Sequence, residues 1–252
     1  CNNEVKSLNY EANEIDKIEL LDTSSKDGHR IYIRGILYIM AKALNEVYPE
    51  ALLSVNYQLS SAMFCKIDNM EITDEMIAKV KARMQEIIDQ NLEIRKVVMT
   101  KEEAEEFYSN EKTLRGIVQI DNTQKEGVSL YYCEDYFNYF FGVMPVTTAY
   151  TDIFDVIKYG DGFLVRYPSA EKPNELTNYK SNKKLLSTLE EYEDIHRVLQ
   201  IDTLYKLNKE IKEGRTSNVI LLSEALHEKK MANIADDIAK RKNVKMVLIA
   251  GP

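Results

Sequence analysis

Hydrophobic residues in the first ninety positions alternate in one segment and recur with helical spacing in two others. Residues 16–22 alternate between polar and apolar side chains, which predicts a strand. Residues 31–47 carry apolar side chains three and four positions apart, and Pro49 closes the helix that this spacing predicts. A second helix is predicted to begin at Thr73, because an apolar stripe of the same spacing follows it as far as Ile88.

Shorter apolar runs between and after these helices predict strands. Residues 52–60 and 62–68, which are separated by a short polar step, have the pattern of a strand pair. Residues 92–99 alternate as a further strand. Thr100 and Glu103 then have the spacing of a capping box, so a helix is expected to begin directly after Thr100.

An aromatic and β-branched composition sets residues 127–168 apart from the segments before them. Turn residues separate the apolar runs, which is typical of an antiparallel sheet. The aromatic density of residues 131–141 favours a buried sheet core over a stacking platform for nucleic-acid bases. Residues 114–120, just before this region, fit either a helix or a strand.

The final third of the chain has a helical pattern. A polar loop follows Pro168, and helical segments run to residue 243, with Gly214 at the end of one of them. The apolar run Met246–Ile249 predicts a buried parallel strand that leads into Gly251. We therefore expect an α+β protein: an antiparallel sheet with helices, then a helical connector, then the first strand of an α/β domain.

Composition limits the classes of function. The chain has 252 residues and a net charge of −8, which argues against a general nucleic-acid coat, since phosphate contacts dominate the affinity of such proteins. No apolar run approaches the ~20 residues that span a bilayer. The three cysteines are far apart and form no CxxC pair, so a reducing cytoplasm is expected rather than a disulfide framework.

Several segments together resemble threonyl-tRNA synthetase. DGHRIYIRGILYIMAKAL, TDEMIAKVKARMQEIIDQNL, TKEEAEEFY and SLYYCEDYFNYFFGVMPVTT are similar to stretches of its second N-terminal domain, which is shared with alanyl enzymes and with free-standing editing proteins. GFLVRYP, SEALHEKKMANIADDIAKR and VLIAGP are similar instead to bacterial nucleoside kinases of the uridine kinase and phosphoribulokinase group. In those kinases a TGS domain and a synthetase-like domain precede the P-loop domain.

This order of segments implies a division of the chain. Residues 1–15 would be the tail of a TGS domain, 16–168 the synthetase-like domain, 169–243 a helical connector, and 244–252 the truncated start of a P-loop kinase domain. Gly251 and Pro252 would begin the ATP-binding loop, whose backbone amides cradle phosphates.

The same resemblance indicates where a metal-dependent editing site would lie. In the synthetase family one helix carries HxxxH, which puts two imidazoles on one face, and a later segment carries CxxxH. The first pair falls on Arg34 and Tyr38, and the second on Phe140 and Met144. None of these side chains is a useful zinc ligand, so we expect no metal site and a domain that kept the fold but lost the chemistry.

Two interpretations of this altered cleft stay open. In one, Tyr38, Phe140 and Met144 fill the cleft, and Arg34 pairs with Glu134 or Asp135. In the other, the cleft still binds a small ligand, and the Arg34 guanidinium forms paired hydrogen bonds with a phosphate or carboxylate. Cys65 and Cys133 are interpreted as buried, inert thiols, and the histidines as isolated structural side chains.

The resemblance implies that the whole protein is an ATP-dependent nucleoside kinase. ATP, Mg²⁺ and a uridine-like nucleoside would bind its kinase domain, while this fragment would be an inactive N-terminal region without a cofactor of its own. Its role would be regulatory, ligand-binding or structural. The alternative is a tRNA- or amino-acid-binding synthetase-like module that has lost metal-dependent editing, although the acidic balance counts against a nucleic-acid partner. A residual hydrolase is the third possibility.

Overall fold

The computed structural model describes residues 1–109, 120, 127–179, 183–241, 243–244 and 246–248. The chain divides into two compact units, residues 1–179 and residues 180–252. The larger unit holds both sheets, and the described part of the smaller one is helical.

The elements of the larger unit, in chain order, alternate between helices and short strands. They are α1 (Lys26–Val47), β1 (Leu53–Gln58), β2 (Ala62–Ile67), α2 (Asp74–Asp89), β3 (Arg95–Met99), α3 (Lys101–Ser109), β4 (Val128–Cys133), β5 (Tyr136–Tyr139), a 3₁₀ helix (Thr148–Thr151), β6 (Asp155–Tyr159) and β7 (Gly162–Arg166).

The strands form two separate sheets, and every described pairing of named strands is antiparallel. One sheet has the order β1-β2-β7-β6, and the other has the order β3-β4-β5. Cys133 lies opposite Tyr136, so Glu134 and Asp135 make a two-residue turn between β4 and β5. Glu134 has a φ of +53°, as tight hairpin turns of this length require. The predicted α+β class with antiparallel sheet is confirmed.

Helix α1 is buried on most of its surface because it packs on both sheets. Ile36 and Met40 join α2 and the four-stranded sheet in the largest core. Tyr38 points instead into a second core, with Tyr131 and Cys133 of β4. A third core fills the space between α3 and the three-stranded sheet. The position of α1 therefore fixes how the two sheets meet.

The N-terminal prediction needs correction in two respects. Residues 16–22 form no strand, and Ile18 and Leu20 are exposed. Alternation alone does not make a strand, since a strand needs a partner for its backbone, and the described backbone bonds of this segment reach a distant residue only between Lys17 and Asn2. Helix α1 also begins earlier than residue 31, because the Ser25 hydroxyl accepts a hydrogen bond from the Gly28 amide at 3.1 Å and caps the helix.

The smaller unit contains α4 (Lys183–Leu199), α5 (Leu204–Lys212) and α6 (Thr216–Lys240). Residues 243–244 and 246–248 are not in a strand, in contrast to the strand predicted at the end of the chain. Gly251 and Pro252 lie outside the described residues, as do residues 114–119. No described helix is long and apolar enough to cross a membrane.

One glycine allows α1 to approach the loop before the 3₁₀ helix. A Cβ added to Gly35 would lie 2.6 Å from Cγ of Pro145 and 2.8 Å from Cγ2 of Thr151. Both distances are far shorter than van der Waals contact. The backbone of α1 therefore packs directly against these two side chains.

We expect Gly35→Ala to destabilise the larger unit by about 1–3 kcal/mol, because the added methyl overpacks this contact. Ala is intrinsically better than Gly in a helix by about 1 kcal/mol, so the steric cost must exceed that gain. Urea unfolding measures the free energy. Ala78→Gly at an exposed position of α2 supplies the propensity difference alone, and an unchanged or higher stability of Gly35→Ala would contradict the close packing.

Candidate functional site

One stripe of α1 carries three polar side chains that face the three-stranded sheet and the loop after it. Arg34, Tyr38 and Lys42 are each four residues apart, so they lie above one another on the helix. Each places a polar atom within hydrogen-bonding distance of a backbone carbonyl in residues 131–143. Two of the residues predicted for the site, Arg34 and Tyr38, thus belong to one continuous row.

Tyr38 is fully buried and its hydroxyl is already engaged. The oxygen lies 3.0 Å from the Tyr131 carbonyl and 3.2 Å from the Tyr136 carbonyl, so its single proton is donated within the protein. Burial strongly raises the pKa of this hydroxyl. The ring also makes edge-to-face contacts with Tyr136 and with Phe140, at centroid distances of 5.3 and 5.8 Å. Tyr38 therefore acts as a packing residue.

Phe140 and Met144 belong to the same apolar cluster as Tyr38. Met144 is buried in the same core as Tyr38 and Cys133, and Phe140 packs against that core while staying partly exposed. The structure therefore brings these three side chains together as an apolar cluster. Of the three, only Phe140 reaches solvent to a significant extent.

Arg34 lies at the open end of the row. Its Nη1 donates to the Val143 carbonyl at 2.9 Å, and its guanidinium carbon would lie 2.9 Å from a Cβ on Gly142, whose φ is +96°. Arg34 is half-buried, and it forms no ion pair with a carboxylate among the described residues. We call Arg34, Phe140 and Gly142 the Arg34 site.

Lys42 occupies the closed end of the row, and sequence reasoning missed it. Its side chain is only 2% exposed, and its ammonium lies 3.3 Å from the Cys133 carbonyl, 2.7 Å from Glu46 and 3.2 Å from Glu134. Burial alone would lower the pKa of Lys42, but hydrogen bonds with both carboxylates outweigh it and raise the pKa. Glu134, proposed above as a partner of Arg34, thus pairs with Lys42. The four-residue spacing from Tyr38 was the available sequence signal.

Other residues that could carry chemistry are held in structural contacts. His29 shares a hydrogen bond of 2.9 Å with the Pro168 carbonyl and packs edge-on against Tyr167. Cys65 and Cys133 are buried, and burial raises the pKa of the Cys133 thiol to about 11. Among the described residues, no three His, Cys, Asp or Glu side chains converge so that they could hold a metal ion.

Comparison with known proteins finds relatives among the threonine–tRNA ligases. The chain is 26% identical over 129 residues to the Clostridium kluyveri enzyme, which covers 51% of this chain and 20% of the ligase. It is 25% identical over 206 residues to a probable cytoplasmic threonine–tRNA ligase of Enterocytozoon bieneusi (81% and 32%) and 26% identical over 189 residues to the Thermoplasma volcanium ligase (71% and 28%). No family model matches the chain.

These relatives support the resemblance to a synthetase module and overturn the prediction of a nucleoside kinase fragment. The relatives named above are ligases, and the chain spans between a fifth and a third of their length. GFLVRYP, one of the short segments that suggested a kinase, contains β7. This strand is the second from one edge of the four-stranded sheet of the larger unit. That segment serves the synthetase-like unit.

We expect Lys42→Met to destabilise the protein by about 1–3 kcal/mol, because it removes the donor to the Cys133 carbonyl and the ammonium partner of Glu46 and Glu134. Glu46 keeps its contact with Arg83 at 2.6 Å, which limits the loss. Unfolding in urea gives the value. Lys79→Met is the matched control, since Lys79 pairs with Glu75 on an exposed surface of α2, and equal effects of the two substitutions would refute a special role for Lys42.

A further prediction concerns the stability of the protein at low pH. Burial alone would raise the pKa of Glu46, but hydrogen bonds from Lys42 and Arg83 outweigh it and hold the pKa below 4.5. A carboxyl with a lowered pKa in the folded state contributes stability above its unfolded pKa and loses that contribution as the pH falls. Glu46→Gln should therefore show a shallower decline of unfolding free energy between about pH 7 and about pH 3 than the unsubstituted protein. Parallel curves of unfolding free energy against pH for Glu46→Gln and the unsubstituted protein would contradict this prediction. An equal effect of Glu71→Gln, at an exposed position, would show that Glu46 has no specific effect on the pH dependence of stability.

Proposed function

We propose that residues 1–179 form a threonine–tRNA-ligase-like binding module that holds tRNA or an amino acid at the Arg34 site and does not hydrolyse an aminoacyl ester. The proposal concerns only the region that the chain shares with those ligases. The names of these ligases give threonine and tRNA as what they act on, and these two are therefore the ligands to test.

The state of the Arg34 guanidinium carries this proposal. A guanidinium offers several N–H donors, and the described structure engages one of them with the Val143 carbonyl. A half-buried positive charge without a carboxylate partner is costly, and an anionic oxygen group would offset that cost. Both candidate ligands supply such a group, as the carboxylate of an amino acid or the phosphate of tRNA.

The neighbouring side chains support binding without hydrolysis. Metal-assisted hydrolysis needs ligands with free lone pairs around an open coordination position. Tyr38 donates its proton to backbone carbonyls, Met144 is buried, and Phe140 offers only carbon. The resemblance to the synthetase family assigns its metal-ligand positions to these residues, and side-chain packing occupies them here.

We expect Arg34→Gln to weaken binding at least about tenfold, since charged hydrogen bonds contribute about 1.5–3 kcal/mol each. Arg34→Lys should give an intermediate loss, because it keeps the charge but not the planar pair of donors. Calorimetric titration with L-threonine, L-serine and tRNA measures the affinities. Arg30→Gln is the matched control, since Arg30 lies one turn earlier on α1, is exposed and pairs with the Asp27 carboxylate.

Two comparisons distinguish the sources of the anion. Threoninamide lacks the carboxylate, so it should fail to bind if the amino acid is the ligand. A tRNA complex should instead weaken steeply between low and moderate salt. For each phosphate contact, the logarithm of the binding constant should fall by about 0.9 for each unit rise in the logarithm of the salt concentration, or slightly less for single strands. Failure of both ligands to bind at low salt would refute the proposal, and binding that Arg34→Gln leaves unchanged would refute the assignment to this site.

A further inference from the structure

A pocket in the smaller unit is independent of the Arg34 site. It has a volume of about 500 Å³ and is lined by residues of α4, α5 and α6 and of the connection between α4 and α5. Pockets of a few hundred Å³ suit small organic ligands. The distribution of polar and apolar side chains along it indicates which chemistry would fit.

Polar side chains cluster where α4 and α6 meet. The Lys230 ammonium lies 5.1 Å from the centre of the Tyr192 ring and 2.7 Å from the Glu191 carboxylate. His196 is one turn from Tyr192 along α4, and His227 is one turn from Lys230 along α6; both line the pocket. This part of the pocket therefore presents two imidazoles beside the ammonium group of Lys230. The N–H groups of the imidazoles can donate to an anion.

Apolar side chains line the part of the pocket beyond the histidines. Leu199 lies at the end of α4, Leu207 on α5, and Val219 two turns before His227 on α6. Asp202 also lines the pocket, but its carboxylate pairs with Lys206 at 2.8 Å. The pocket thus has one hydrogen-bonding part, where the two histidines lie beside the Lys230–Glu191 ion pair, and one aliphatic part.

We propose that this pocket binds an amphipathic ligand with an aliphatic chain and a single carboxylate head. The chain lies along Leu199, Leu207 and Val219, where burial of methylene groups supplies the affinity. The head accepts hydrogen bonds from His196 and His227 near Lys230, which fixes the direction of binding. A trimethylammonium head of the same chain length has no oxygen to accept from those donors, and a hydroxyl head accepts without the negative charge that strengthens the hydrogen bonds.

The test uses the full chain and three twelve-carbon probes below their micellar concentrations: dodecanoate, dodecanol and dodecyltrimethylammonium. Calorimetric titration should give saturable binding of dodecanoate at one site, with affinity at least about tenfold above that of the other two, which corresponds to one charge-assisted hydrogen bond. Equal affinity for all three probes, or no binding of dodecanoate, would overturn the proposal.

Variants locate the site. Val219→Trp should fill the aliphatic part and abolish binding, whereas Leu222→Trp, on α6 but outside the pocket lining and exposed, should leave binding unchanged. His196→Leu with His227→Leu, which removes both donors, should reduce the preference for dodecanoate over dodecanol at least about fivefold. Far-ultraviolet circular dichroism checks that each variant keeps its helices. If these variants bind dodecanoate normally, or if sedimentation shows that a second copy of the chain occupies the pocket, the proposal is wrong.

Discussion

Hydrogen bonds from one stripe of α1 to backbone carbonyls join the two sheets of the larger unit. Arg34, Tyr38 and Lys42 contact the carbonyls of Val143, Tyr131 and Cys133, while the opposite faces of α1 pack on α2 and the four-stranded sheet. Buried carbonyls need donors, and a side chain that supplies one also fixes a distance. The row therefore sets how the three-stranded sheet lies against the helix.

The same row explains why only one of its members is a candidate for ligand binding. Tyr38 and Lys42 are buried, and their donors are used within the protein. Arg34 lies at the end that reaches solvent, beside Gly142, where a positive φ and a missing side chain leave space for the guanidinium. Packing and internal hydrogen bonds thus use the donors of Tyr38 and Lys42, which leaves Arg34 as the member of the row that is proposed to recognise an anion.

The described helices of the smaller unit bury their side chains less than those of the larger unit do. Helices α5 and α6 contain no buried side chain, and several large apolar residues on α6 are exposed, among them Leu221 and Met231. Its stability therefore depends on half-buried contacts between helices rather than on a closed core. A pocket between helices that pack in this way can accept an apolar chain at a low cost in lost contacts, which is the physical basis of the ligand proposed for it.

Local signals in the sequence predicted most of the described helices and the starting points of α2 and α3. Thr73 accepts a hydrogen bond from the Met76 amide, and Thr100 and Glu103 form both bonds of the predicted capping box, because such contacts involve residues three apart. Tertiary structure alone decided that residues 16–22 have no strand partner, and that Glu134 pairs with Lys42. Strand pairing and the burial of charge depend on residues distant in the chain, so no local pattern specifies them.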